Sequence, residues 1–360
     1  MNTCARRGFG LVELMVALAI SSLLLLGITQ LFISSKDSYR IIEGLSRLQE
    51  NARFAIDSLS RDLRQSGLYG CRSGVAMWGD GQIPRFQNAI DPGGTNFATA
   101  FNNGNALQGF DVNNAQSSAW LPAVPAGAIA APPNAQLPGS DVLVIRGSLG
   151  AGRRVRVAPE TGTKIELEDD IDADDFTADE LLLITNCDGA TLFTAGAVRD
   201  TLNEIDSTQN DLGQPFDNTA EIYKARTIVY FIRNNTDGVS SLFRREFGRD
   251  MTVTPRAREL VTGVQNMQIL YGVDGVRGVP DTVADAYLDA NQLAGSARVT
   301  MNDVVSLRIG LLMVTPDEVR RQAATTAPIP VLGVNVPQRA DGRSLHQLVV
   351  STITLRNRAL

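Results

Sequence analysis

Glu13 stands where a carboxylate is out of place: Leu11, Val12, Leu14 and Met15 flank it, and no charge follows in the 22 residues from Leu14 to Ser35. A carboxylate beside such a run is costly unless a cation meets it, so one chemistry on offer is ion pairing at a helix start. The plainer alternative is a boundary mark, since an acid in the first turn suits the positive end of a helix. Few other side chains offer chemistry. The chain holds one histidine, His346, and three cysteines, Cys4, Cys71 and Cys187, and none lies in a C-x-x-C, H-E-x-x-H, G-x-S-x-G or phosphate-loop pattern. No serine, aspartate or cysteine motif accompanies His346, which reads as a surface or strand residue. The acidic stretch from Ile165 to Glu180 places Asp170, Asp172 and Asp174 at alternate positions, like the opening of a calcium loop. Its sixth position is Asp175 instead of glycine and its twelfth is Leu181 instead of glutamate, so a solvated turn is expected. Asp274 and Asp281 are weaker candidates still. No catalytic set, metal or cofactor is expected.

The element that positions Glu13 is a helix. At ~1.5 Å per residue, the uncharged run spans roughly the ~30 Å core of a bilayer. A removed secretory signal is the alternative, with Arg6 and Arg7 as its basic end, but no small-residue cleavage site follows and no proline interrupts the pattern until Pro84. A retained membrane helix is the better reading. Beyond it Ile41, Leu45, Leu48, Ala52, Ala55, Leu59 and Leu63 recur every three or four residues, while Arg47, Glu50, Arg53, Asp57 and Arg61 alternate in sign on other faces. One continuous helix from about Phe9 to about Ser66 is expected, closed by Gly67 and Gly70.

Around Glu13 the sequence reads RRGFGLVELMVALAI, which resembles the class III signal of type IV prepilins. The resemblance implies cleavage after Gly8 by a prepilin peptidase, methylation of the new terminus Phe9, and a role for Glu13 in processing or assembly. Gly10 departs mildly from the Thr or Ser usual there. A cut at Gly8 would give Phe9 a charged amine one helical turn from Glu13, and in a bundle of such helices the amine of one subunit can neutralise the glutamate of its neighbour. The stretch QENARFAIDSLSRDLRQSGLYGC is similar to the helix end of PilW-type minor pilins, through Glu50, Asn51, Arg53, Phe54, Arg61, Asp62, Arg64, Gln65, Gly67 and Cys71. Further agreement lies near ALQGF, GSDVLVIRG, LLLITNCDGATLF, ELVTGVQNMQILYGVD, VVSLRIGLLM and TLRNR, so the likeness is spread over nearly the whole chain.

The expected fold is therefore α+β and pilin-like: a long amino-terminal helix, half transmembrane and half amphipathic, packed on a mainly antiparallel sheet. Residues 1–8 would be the leader, 9–35 the membrane segment, 36–67 the stalk and 68–360 a periplasmic head. The segment from Gly79 to Ser140, rich in Asn, Gly, Ala and Pro, reads as long loops. Strands are expected at Val142 to Arg146, Arg153 to Ala158, Leu181 to Thr185, Thr227 to Arg233, Ser241 to Glu246, Met267 to Val273, Val304 to Thr315 and Leu348 to Arg356. Short helices are expected at Pro255 to Val264 and Asp281 to Leu293. Loss of residues 1–8 would remove Cys4 and leave Cys71 and Cys187, which an oxidising periplasm would pair; two buried free thiols are the alternative.

With 33 Lys plus Arg against 39 Asp plus Glu, the net charge is -6, and nucleic acid is not an expected partner. The resemblance implies a non-enzymatic protein, anchored in the inner membrane with a periplasmic head and later inserted into a pilus. Its implied partners are other minor pilins, the major pilin and the prepilin peptidase, and its implied task is priming of pilus assembly near the tip. A minor pseudopilin of type II secretion shares the leader and stalk. A membrane-anchored adhesin, binding module or enzyme with a site in the Gly79 to Ser140 loops is a third reading.

Overall fold

A computed structural model describes residues 10–69, 85–91, 96–101, 106–112, 119–129, 139–158, 160–172, 174–186, 189–276, 281–324 and 326–355. The charge-free run and the stripe beyond it form one helix, α1 (Leu11–Arg64), of 54 residues. That length is about 80 Å at the standard rise. The helix buries Gly44, Leu48, Ala52, Ala55, Leu59, Asp62 and Leu63. Ile41 and Leu45 stay about 40% exposed, so the packed face begins at Gly44 and not at Ile41. Each buried leucine contributes roughly 2 to 3 kcal/mol. The helix stops where Gly67 takes φ 70° and donates its N–H to the Arg146 carbonyl at 3.0 Å.

Sixteen strands follow among the described residues: β1 (Arg85–Asn88), β2 (Leu107–Phe110), β3 (Val142–Val157), β4 (Lys164–Leu167), β5 (Leu181–Thr185), β6 (Gly189–Arg199), β7 (Glu204–Ser207), β8 (Glu221–Asn234), β9 (Ser240–Phe247), β10 (Arg258–Thr262), β11 (Val264–Val273), β12 (Ala286–Leu288), β13 (Val304–Val314), β14 (Ile329–Val331), β15 (Val334–Val336) and β16 (His346–Thr354). The first sheet runs β10-β9-β8-β5-β6-β7-β4-β3-β2, with β3 also paired to β8. The ring β8-β5-β6-β7-β4-β3 thus closes on itself as a small antiparallel barrel. Val155, Ile165, Phe193, Ile205 and Ile222 fill it, and closure leaves those strands no free edge. A second antiparallel sheet runs β12-β11-β13-β16. The buried residues of α1 pack into the main core together with Ile145, Ile228 and Tyr230 of the first sheet and Ile269, Leu307 and Ile309 of the second. A long helix on a largely antiparallel sheet head is the α+β, pilin-like arrangement expected.

Four expectations need correction. The segment from Pro255 to Val264 is not helical: Arg258–Thr262 is β10, held against β9 at the sheet end. Between Asp281 and Leu293 the chain makes β12 and then only a short helix, α2 (Ala290–Ala294), whose first turn is capped by the Asp289 carboxylate accepting from Gln292 N–H. The loop region from Gly79 to Ser140 contains β1, β2 and a 3-10 turn at Phe97–Thr99. The strands expected on either side of Gly147, Gly150 and Gly152 are one strand, β3, with a register shift between Leu149 and Arg153. Gly147 is required there, because a Cβ would lie 2.3 Å from the Gln65 carbonyl oxygen at the helix end.

Candidate functional site

Of the residues expected to carry function, Gly8, Phe9, Cys71 and Cys187 lie outside the described residues. Glu13 lies in the first turn of α1, exposed, its carboxylate accepting the Gly10 N–H at 3.1 Å. That bond satisfies one of the donors a helix start leaves free. Every residue from 11 to 36 is exposed, including Leu14 at 57%, Leu23 at 70% and Phe32 at 69%. The apolar half of α1 therefore projects beyond the head as an unshielded cylinder, whose 18-residue stretch of highest hydropathy has no buried residue. A surface of this size is stable only in lipid or against other apolar helices. Tyr39, Ile42 and Phe54 extend the exposed apolar surface along the stalk, at 68%, 67% and 52%.

Where the helix meets the head, the carboxylate of Asp62 is buried and paired. It accepts hydrogen bonds from Tyr230 Oη at 2.6 Å and Arg244 Nε at 2.8 Å. Arg244 also pairs with Glu246, Glu246 with Arg226 at 3.2 Å, and Arg226 with Glu180. The chain of charges runs from stalk to barrel, and hydrogen bonding to Asp62 and its charge raise the Arg244 guanidinium further above its ordinary range despite burial. Burial and the neighbouring Asp62 push the Tyr230 phenol up. The sequence did carry a signal for this network: Asp62 falls on the apolar stripe between Leu59 and Leu63, where an unpaired acid would be expensive. Beside it, Ser148 donates both its N–H and its hydroxyl to the Leu68 carbonyl, pinning the chain leaving the helix to β3.

A second buried acid pair, Asp111 and Asp141, joins the two sheets. Asp141 accepts from Val112 N–H at 3.3 Å and Ile269 N–H at 2.8 Å. Burial and the charge of Asp289 push the Asp111 carboxyl up to about 6, while burial and Asp111 hold Asp141 well above the carboxylate range. Paired carboxyls can do acid–base chemistry when a substrate reaches them. These two are 6% and 2% exposed, and a neighbouring cavity of about 240 Å³ is lined by Gln108, Phe110, Leu293 and Met301 but by neither acid. They act as a tie between β11 and the segment after β2.

Among the described residues most of the remaining candidates have structural partners, Asp172 and Asp174 excepted. Asp170 accepts from Asn203, Asp175 pairs with Arg153 at 2.7 Å, and Asp169 pairs with Arg154 at 3.2 Å. Among the described residues no cluster of three or more metal-ligating side chains forms. Asp274 accepts from Thr282 N–H at 2.6 Å and Asp281 from Val283 N–H at 3.0 Å, each closing a turn. His346 Nε2 accepts the Arg339 N–H at 3.3 Å, consistent with burial lowering the imidazole below its ordinary value. Near the cysteines, Thr185 Oγ1 donates to the Tyr69 carbonyl at 2.6 Å, a contact two residues before each thiol in sequence.

Comparison with known proteins gives two matches. Residues 4–29 match the prokaryotic N-terminal methylation motif, and residues 229–357 match the type IV pilus-assembly protein W family, PilW. The second span covers β8 to β16, and of the stretches likened to PilW above it takes in those from Glu259 onward. No curated protein and no solved structure matches. Together the two family models support a PilW-type minor pilin related to the type IV pilus, and with the exposed apolar helix they fit a membrane-anchored protein of structural kind.

Proposed function

We propose that this chain is a minor pilin that helps to initiate type IV pilus assembly, with its large head near the pilus tip. The observation that carries the reading is the bare apolar half of α1, which begins at a prepilin-type signal and ends against a folded head. Prepilin peptidase cleaves after Gly8, and the Phe9 amine is then methylated. The helix holds the protein in the inner membrane, with residues 36–67 as stalk and 68–360 as a periplasmic head. On extraction into the fibre, its apolar surface exchanges lipid for the helices of other minor pilins and the major pilin, and Glu13 takes the amine of a neighbouring subunit as its partner. The protein has no enzymatic step in this scheme. The Thr185–Tyr69 contact supports a disulfide between Cys71 and Cys187, because it draws together the segments that lead into both cysteines.

A chromosomal deletion scored separately for surface pili and for type II secretion tests the proposal. Lost pili with intact secretion is the expected result. Lost secretion with normal pili would reassign the chain to the pseudopilins, and a strain normal in both but defective in surface attachment would favour an adhesin.

A further inference from the structure

A cleft of about 440 Å³ lies where the head comes down beside the helix. Its apolar part is Val319 of the head with Phe32 and Ile33, the last large apolar residues of the uncharged run. Its rim is basic: Lys36 and Arg40 from the helix, and Arg320, Arg321 and Arg343 from the head, against only Asp37 and Glu318. Glu318 is already paired with Arg343 at 2.9 Å. Lys36, Arg40, Arg320 and Arg321 are exposed and form no ion pair among the described residues. The concentration is notable in a chain whose net charge is -6.

These cations are held in place by the backbone. Val319 and Arg320 both donate their N–H groups to the Arg343 carbonyl, at 3.1 and 2.9 Å, and Ala324 donates to the Gly342 carbonyl at 2.8 Å. The loop seats closely on the helix because residue 44 is glycine: a Cβ there would stand 3.1 Å from Val319 Cγ2. Arginines far apart in sequence are thus brought beside Lys36, one residue beyond the end of the uncharged run. From Ile33 to Arg40 the helix rises about 10 Å, the distance from acyl chains into the headgroup layer. Cations flanking a membrane span on the side opposite the cytoplasm run against the usual topological bias, so their presence calls for a use at that place.

We infer that this cleft is a binding site for anionic glycerophospholipid of the periplasmic leaflet, the phosphodiester meeting Lys36, Arg40, Arg320 and Arg321 while an acyl chain lies along Phe32 and Ile33. The inference rests on the membrane-anchored reading above. Its consequence is that lipid charge, and not only the covalent stalk, fixes the head upright at the bilayer surface until the subunit is extracted.

The test uses the full chain reconstituted in lipid nanodiscs, one set of phosphatidylcholine alone and one doped with phosphatidylglycerol. Hydrogen exchange of residues 316–324 and 36–43 is followed in each. Exchange is expected to slow about five-fold or more in the anionic discs, the scale of even one Lys or Arg near a charged membrane surface, and high salt should remove the difference. An R320A/R321A double variant, whose changed side chains are exposed and outside the core, should lose the protection and keep its circular dichroism, whereas R258A on β10 should keep both. Equal exchange in the two disc types overturns the inference. So does protection that depends on the number of chains per disc and not on headgroup charge, which would assign the cleft to a second pilin. Failure to enter either disc would instead overturn the membrane-anchored reading, which the first comparison leaves intact.

Discussion

Replacing Asp62 with asparagine tests whether the stalk is tied to the head by charge or only by its apolar stripe. Asparagine keeps the shape and one acceptor, so the Tyr230 bond at 2.6 Å can persist, while the ion pair with Arg244 at 2.8 Å is lost. Breaking a fully buried pair costs roughly 3 to 5 kcal/mol. The Arg244 side chain is 22% exposed and retains Glu246, which softens the loss. A destabilisation of about 2 to 3 kcal/mol is expected, and at roughly 2 to 4 °C per kcal/mol this lowers Tm by about 4 to 12 °C. The measurement is thermal unfolding of the full chain in detergent, followed by circular dichroism. A cycle with Arg244→Met isolates the pair, and a coupling energy of at least ~1 kcal/mol is expected between the two sites. Additive effects, or a loss below ~0.5 kcal/mol for Asp62→Asn, would refute the reasoning and leave the attachment to the apolar stripe of Leu48, Ala52, Ala55, Leu59 and Leu63 and the backbone bonds at the helix end.

Asp111→Asn should flatten the pH dependence of stability. The folded-state value of Asp111 is raised to about 6, so its contribution is fully present below the unfolded value near 4 and is lost as pH rises through about 6. The wild type should lose on the order of 2 kcal/mol more than the variant between pH 4 and pH 8 in urea titrations. Intact-mass measurement of membrane-extracted protein should give a chain starting at methylated Phe9, and a bulky residue in place of Gly8 should leave the leader attached; a start near residue 30 would contradict both. Non-reducing peptide mapping should recover one cross-linked peptide containing Cys71 and Cys187, against which two alkylated thiols would count decisively. Glu13→Gln should insert normally in the membrane yet cross-link poorly to partner pilins at matched membrane levels, whereas a purely capping residue would cost only about 1 kcal/mol or less and leave assembly normal.

The long helix was legible because its two signals are local: an uncharged run, then apolar residues at spacings of three and four. The strands β8, β11 and β13 were legible for a similar reason, each carrying a run of Val, Ile and Leu long enough to fill both faces. Where pairing is decided at long range, the sequence misled. Arg258–Thr262 has the charge spacing of a helix, and pairing with Ser241, Leu242, Phe243 and Arg244 across the sheet holds it as a strand. The barrel strands β4 and β7, KIEL and EIDS, are short and half charged, and β6 is rich in glycine and alanine; none has strong β-propensity by itself. Gly147, Gly150 and Gly152 look like loop punctuation, yet β3 runs through them: the helix end and the Tyr223 ring need the room at 147 and 152, and Gly150 takes φ 82°. As for function, the signal around Gly8 is readable in the residues themselves, while the basic cleft is assembled from positions nearly three hundred residues apart and could be seen only once the chain was folded.

Two acids of α1 show how one helix serves two environments. Asp62 sits amid apolar neighbours and finds a phenol and a guanidinium from the same chain, so folding alone satisfies it. Glu13, 49 residues earlier, accepts one hydrogen bond among the described residues, from the Gly10 N–H, and is exposed to whatever surrounds the helix. A carboxylate has two oxygens and roughly four acceptor positions, so one backbone donor leaves most of its capacity unused. In lipid or in a helical bundle that capacity must be met by a cation, since water is excluded there. No basic side chain lies between Leu14 and Ser35 to supply one, and the head arginines of the cleft, Arg320, Arg321 and Arg343, meet the helix at the far end of that run. Under the proposed assembly the partner comes from outside this helix: the amine that cleavage at Gly8 would release on a neighbouring subunit.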